Sequence, residues 1–203
     1  KGQRATETFR AQYNKAGLND ESAQILNEHP GFAVYLAEGI RRFSAKAPDY
    51  GLAQSILGAD FITAEEVTKA RPSIVYTVEQ ITALAESLPS EDVLKWCRDN
   101  GYAVMPAPPR AMSTLDVREI QYAHFHSKTG GWYADQKFAC EDKTSFGWLL
   151  IKKTPVSNST SKNWNEQNEL LSVLEKVPNA AEMSWFITTY FEVRGVRLFE
   201  GGY

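Results

Sequence analysis

The stretch that most constrains the fold is Asn179 to Gly195, NAAEMSWFITTYFEVRG. Asn179 is placed to cap a helix, and Glu182, three residues on, completes a capping box. Pro178 opposes extension of that helix backwards. Gly195 supplies the left-handed residue that ends it, with Val196 expected to pack back on Phe191. Between the caps, Met183, Phe186, Ile187, Tyr190 and Phe191 recur at helical spacing. Ala181, Trp185 and Val193 widen this stripe, leaving Ser184, Thr188 and Glu192 for the polar side. A helix apolar over so much of its circumference is covered by layers on two sides. The stretch is therefore expected to be a core helix, with an aromatic ligand pocket as the alternative. The following VRLFE, residues 196–200, reads as a strand.

Earlier segments carry weaker but legible punctuation. Residues 3–16 read as an exposed helix with Phe9 and Tyr13 one turn apart. A second helix starts at Asn19 or Asp20 and ends at Pro30. A third, Gly31 to Ala45, gathers Phe32, Tyr35, Leu36, Ile40 and Phe43 on one face, and Arg41-Arg42 suit its C-terminal dipole. Lys46 to Gly51 is a linker. Capping boxes open helices at Thr63 and Thr77, and Ser90 caps Glu91 to Asp99, which Asn100-Gly101 stops. Tyr102 to Met105 is a short strand ending in the turn Pro106 to Pro109. Ser113 caps a helix through Ile120, and residues 121–146 form aromatic-rich strands or loops. GWLLIKK, residues 147–153, is the strongest later strand. Asn163 to Leu174 reads as a helix with Leu170, Leu171 and Leu174 inside.

This pattern predicts an α+β architecture: a helical N-terminal half, then a small, mostly antiparallel sheet packed on two C-terminal helices. Three segments follow from the breakers: a helical segment 1–48, a helical subdomain 49–109 and an α+β subdomain 110–203. The chain opens on Lys1 and stops just after an apparent strand, so it is expected to belong to a longer polypeptide with more β structure.

Composition narrows the function classes. Of 203 residues 43% are hydrophobic and the net charge is −3, an ordinary globular balance. Residues 1–101 carry 11 Lys/Arg and 14 Asp/Glu, against 11 and 11 in residues 102–203. Neither half offers the basic surface nucleic acid demands, and no apolar run is long enough to span a membrane. Cys97 lies within a helix pattern and Cys140 in an unrelated context, which fits a reducing cytoplasm better than a disulfide scaffold. Asn158-Ser159-Thr160 matches a glycosylation acceptor, which has meaning only in a secreted protein.

Candidate chemistry is sparse. His124-Phe125-His126 places two imidazoles on one face of a strand, with Cys140 and Asp142 downstream. No fourth metal ligand stands at a recognisable spacing, and no metal site or cofactor is expected. A Cys140 nucleophile with His124 or His126 requires spatial adjacency. Glu166 and Glu182 suit helix surfaces and caps better than acid–base roles. Thr129-Gly130-Gly131 is a turn and not a phosphate loop. Trp132 and Tyr133 follow the double glycine in a polar stretch, where large aromatics serve either binding or loop anchoring.

YTVEQITALAESLPSEDVLKWCRDNGYAV resembles the helix-turn-helix of excisionase-type and MerR-like regulators, on Thr77, Val78, Ile81, Leu84, Val93, Trp96, Arg98 and Gly101. The resemblance implies DNA contacts from Lys95 and Arg98. Glu91 and Asp92 depart from it, standing where a recognition helix meets base edges. The segments SKTGGWYAD, KTSFGWLLIKKTP, SKNWNEQ, VPNAAEMSWFITTYF and RGVRLFE are similar to a group of bacterial proteins to which no activity is attached. That likeness covers roughly residues 60–203, implies further strands after Tyr203, and carries no site residue. The sequence thus favours a non-catalytic interaction module binding a protein or small ligand through Trp132 and Tyr133. The alternatives are a DNA-binding protein and a cofactor-free enzyme.

Overall fold

The computed structural model describes residues 48–126 and 130–199. The expected helices at 3–16, 19–30 and 31–45, Arg41-Arg42, Thr129 and Glu200 onward lie outside the described residues. Among the described residues, four α-helices come first: α1 (Gly51–Leu57), α2 (Ala64–Ala70), α3 (Val78–Glu86) and α4 (Glu91–Asp99). Then come β1 (Tyr102–Pro106), α5 (Thr114–Gln121), α6 (Lys137–Glu141), β2 (Trp148–Lys152), α7 (Trp164–Asn168) and α8 (Ala180–Arg194). The fold class is α+β, as the residue pattern predicts.

The capping signals locate the helix starts. Thr63, Thr77, Ser113, Asn163 and Asn179 each close a reciprocal capping box with the residue three positions on. Each box satisfies two backbone donors that a helix start leaves unpaired. Gly195 ends α8 at φ 69°, and its N–H donates to the Phe191 carbonyl at 2.7 Å. A side chain there would be strained in the left-handed region.

β1 and β2 pair antiparallel with Val104 opposite Leu150. Because strand side chains alternate, the two-stranded sheet feeds two cores. Ala103, Met105, Leu149 and Ile151 face a core built on Trp185, Phe186 and Tyr190 of α8. Val104 faces a second core of Tyr50, Phe61, Leu94 and Cys97, against which Leu150 packs. Residues from both sides of position 109 therefore share the same packing.

Anchors tie α8 to the end of β1 and to residues 59–66. Trp185 Nε1–H donates to the Pro106 carbonyl at 3.0 Å, and the Tyr190 hydroxyl donates to Asp60 at 2.8 Å. Arg194 donates to the carbonyls of Ala59 and Phe61 and to the Glu66 carboxylate, each at 2.7 Å. Burial works against the Glu66 carboxylate, but hydrogen bonds from Arg194 and Thr63 outweigh it and hold the group below its usual range. Its folded value is depressed, so its contribution to stability is complete above the ordinary carboxylate range and is lost as pH falls through that lowered value. Glu66→Gln is accordingly expected to weaken the fold at neutral pH and much less near pH ~3, read as the difference between urea midpoints at the two pH values.

Several sequence expectations need correction. Residues 196–199 are not a strand: Phe199 takes a positive φ of 61°, and Leu198 turns onto the α8 core. The helix expected to Leu174 stops at Asn168, where tight turns follow as Leu170 and Leu171 donate to the carbonyls of Gln167 and Asn168. Leu174 is not inside but 78% exposed. Thr188, assigned to the polar side of α8, is buried, its hydroxyl donating to the Ser184 carbonyl at 2.8 Å. Between 121 and 146 the described residues form no strand, so His124 and His126 do not share a strand face. Instead a 3-10 turn, Tyr122–His124, carries His124 to Glu192.

Candidate binding site

β1 and β2 differ in what covers their outer edges. β1 is flanked by the segment before α2: the Ile62 N–H donates to the Val104 carbonyl at 2.9 Å, beside a parallel bridge between Phe61 and Val104. β2 has no such neighbour among the described residues. The ladder shows which of its groups point outward. Ala107 N–H donates to Gly147 C=O at 2.8 Å, and Lys153 N–H donates to Gly101 C=O at 3.1 Å. Antiparallel partners alternate between hydrogen-bonded and non-bonded pairs. Leu149 and Ile151 therefore spend their amides and carbonyls on β1, while Trp148, Leu150 and Lys152 direct theirs away from it. Pro106, which has no N–H, sits opposite Trp148, where none is needed.

Alongside this edge runs a groove of about 550 Å³ lined by residues 145–152, by Thr154 to Val156, and by the turn segment that follows α7. Its walls are mostly apolar. Phe146, Leu174 and Val177, three of the exposed large hydrophobics, all line it. Tyr102 fixes the turn segment to the sheet by donating its hydroxyl to Glu175, whose other carboxylate oxygen accepts from the Ser172 N–H at 2.9 Å. Burial and the Glu175 carboxylate push the Tyr102 hydroxyl well above its ordinary range. The hydrogen bond from Tyr102 holds Glu175 below its own. The pin is therefore intact throughout the neutral range.

The aromatic pair singled out in the sequence lies elsewhere. Trp132 is 80% exposed and meets Tyr133 edge-on at 6.0 Å and Phe138 at 6.2 Å between ring centroids. Tyr133 is half-buried beneath the Arg118 guanidinium, 5.5 Å above its ring. Arg118 also donates to the Gly130 carbonyl at 2.8 Å, which ties the loop down.

The groups considered for chemistry are not drawn together. His124 is engaged by Glu192, while Cys140 is an exposed thiol on α6 whose Sγ lies 3.5 Å from the Lys137 carbonyl of the same helix. Cys97 is a buried free thiol, pushed up to about 11 by burial. Glu166 and Glu182 both close capping boxes. Among the described residues no cluster of three metal-ligating side chains occurs, and no helix is long and apolar enough to cross a membrane. Lys95 pairs with Glu91 at 2.7 Å and Arg98 with Asp99 at 2.8 Å. α3 and α4, the two helices of the helix-turn-helix resemblance, contribute to different cores, Leu84 to one and Leu94 to the other.

No protein-family model, curated protein or solved structure matches the chain. The groove is the feature the residue pattern did not disclose. GWLLIKK marks a strand, but only the course of residues 169–178 reveals a groove beside it walled by leucine and valine.

Proposed function

We propose that this chain is a non-catalytic interaction module that holds an apolar polypeptide segment in the groove beside β2. The observation that carries this reading is the convergence of exposed Phe146, Leu174 and Val177 on an uncovered strand edge. Contiguous apolar surface of this kind marks interaction sites in folded proteins. The groove contains no juxtaposed nucleophile and base, so the enzyme reading has no residues to assign there. The bacterial cytoplasm remains the proposed setting.

A second reading places the interface at Trp132, whose exposed ring suits a hot spot. DNA contact through Lys95 and Arg98 is the third, and their pairing with acidic neighbours on α4 gives it little support.

Selection of displayed random peptides on the full chain, followed by variant binding, separates these readings. Leu174→Asp is expected to weaken the selected apolar peptides about tenfold or more while leaving the folded state intact, because its side chain is exposed. Trp132→Ala is expected to leave them unchanged. The reverse pattern moves the interface to the aromatic loop, and peptides indifferent to both substitutions contradict the groove.

A further inference from the structure

We propose that residues 169–178 form a strap over the β2 groove that opens as one unit, and that the Tyr102 hydroxyl, by holding Glu175, sets how often it opens. The opening is a property of the fold, and its effect on a bound segment rests on the groove reading above. No residue from Glu169 to Pro178 is buried, and Val173 and Leu174 are largely exposed. The strap's backbone bonds are local: Leu170 and Leu171 donate to the carbonyls of Gln167 and Asn168, and Glu175 to that of Ser172. Its two ends, by contrast, are fixed. The Gln167 side chain donates to the Ser159 and Lys162 carbonyls at 3.0 and 3.2 Å, and the Asn179 side chain donates to the Lys143 carbonyl at 3.1 Å. A segment with little buried surface and local hydrogen bonds opens at a small free energy while the core stays closed.

Among the described residues, the Tyr102–Glu175 pair is the one side-chain hydrogen bond that joins the strap to the sheet. Its donor is held rigidly. Tyr102 begins β1 opposite Lys152, its ring lies 4.9 Å from that of Trp96, and the Lys152 ammonium stands 5.6 Å from its centre. The Tyr102 hydroxyl, the Ser172 amide and the charge of Lys152 all favour the ionised Glu175. The strap thus offers a charged acceptor to a fixed donor, and hydrogen bonds to charged groups contribute more than neutral ones. Leu171, Leu174 and Val177 line the groove, so opening the strap removes one wall. A segment seated against that wall binds the closed strap alone, and therefore holds it shut.

The test compares amide hydrogen exchange and trypsin cleavage after the exposed Lys176 in the full chain and in Tyr102→Phe. In the unsubstituted chain the Leu171, Ser172 and Glu175 amides are expected to share one opening equilibrium and to exchange about a hundredfold or more faster than Leu149 and Ile151, which β1 protects. Tyr102→Phe keeps the ring between Trp96 and Lys152 and removes only the hydroxyl. It is expected to speed exchange at Ser172 and Glu175, and cleavage after Lys176, by about tenfold or more, with Leu149 and Ile151 unchanged. The tightest displayed peptide is expected to slow both in the unsubstituted chain. Strap amides as slow as Leu149 and Ile151 overturn the proposal without any variant. So does a Tyr102→Phe chain whose strap is unaltered, or whose strap and β2 amides speed up equally. If displayed peptides bind and lose affinity with Leu174→Asp while Tyr102→Phe leaves the strap unaltered, the groove reading stands and the strap falls. If Tyr102→Phe frees the strap but no displayed peptide slows it, the strap stands and the groove reading falls.

Discussion

Trp185→Ala is expected to destabilise the protein by about 3–5 kcal/mol, the cost of removing a large aromatic side chain from a packed core. Trp185 has no exposed surface, and it sits where α8 meets both the sheet and α2. Its indole donates to the Pro106 carbonyl at 3.0 Å, and the Arg71 guanidinium lies 4.9 Å above its ring. Truncation opens a cavity, leaves a carbonyl at the end of β1 without its donor, and strips Arg71 of its aromatic neighbour. Against a total stability of roughly 5–15 kcal/mol, such a loss leaves much of the chain unfolded under mild denaturant. Trp185→Phe retains most of the ring area and forfeits the hydrogen bond, so its cost is expected nearer about 1–3 kcal/mol. Urea unfolding followed by circular dichroism measures both. A loss under about 1 kcal/mol for the alanine variant contradicts a core centred on α8.

Arg71→Met is expected to act in the opposite direction, leaving stability unchanged or raising it by about 1–4 kcal/mol. Arg71 is only 3% exposed, and none of its three side-chain nitrogens has a hydrogen-bond partner among the described residues. Burial pulls its guanidinium down to about 10, opposed by the charge of Glu192 and by Tyr76, so the group still carries its charge at neutral pH. A desolvated guanidinium without direct partners is costly, and the flexible thioether fills similar space over the same indole. The variant loses the cation–π attraction to Trp185, worth about 0.5–2 kcal/mol, which limits the gain. A drop of more than about 2 kcal/mol in urea unfolding contradicts this ledger. It assigns Arg71 a net structural role through the field of Glu192.

Local signals were readable wherever a short motif determines a local geometry. Thr63, Thr77, Ser90, Ser113 and Asn179 announce helix starts because the capping bond spans only three residues. Gly195 announces an end for the same reason. Trp185 was legible as apolar but not as the centre of the core, since that depends on the long-range meeting with Pro106 and Arg71. The segment after α7 misled. Leu170, Leu171 and Leu174 carry helical spacing, yet the backbone breaks into turns held by Ser172 and Glu175, and Tyr102, far away in sequence, fixes their position. No periodicity discloses a contact between a strand residue and a turn 73 positions away. The same holds for the candidate site. Trp132 and Tyr133 stand out in a string of letters because their neighbours are polar. The β2 edge is ordinary in sequence and becomes distinctive only because, among the described residues, Ile62 covers β1 and none pairs with the outer edge of β2.

The most direct test of groove binding is titration of the isotope-labelled full chain with the tightest displayed peptide, followed by amide chemical shifts. The groove account predicts the largest shifts in residues 145–156 and 171–178, with residues 130–138 unmoved. Shifts concentrated around Trp132 and Tyr133, with the β2 amides silent, contradict it and make the aromatic loop the interface.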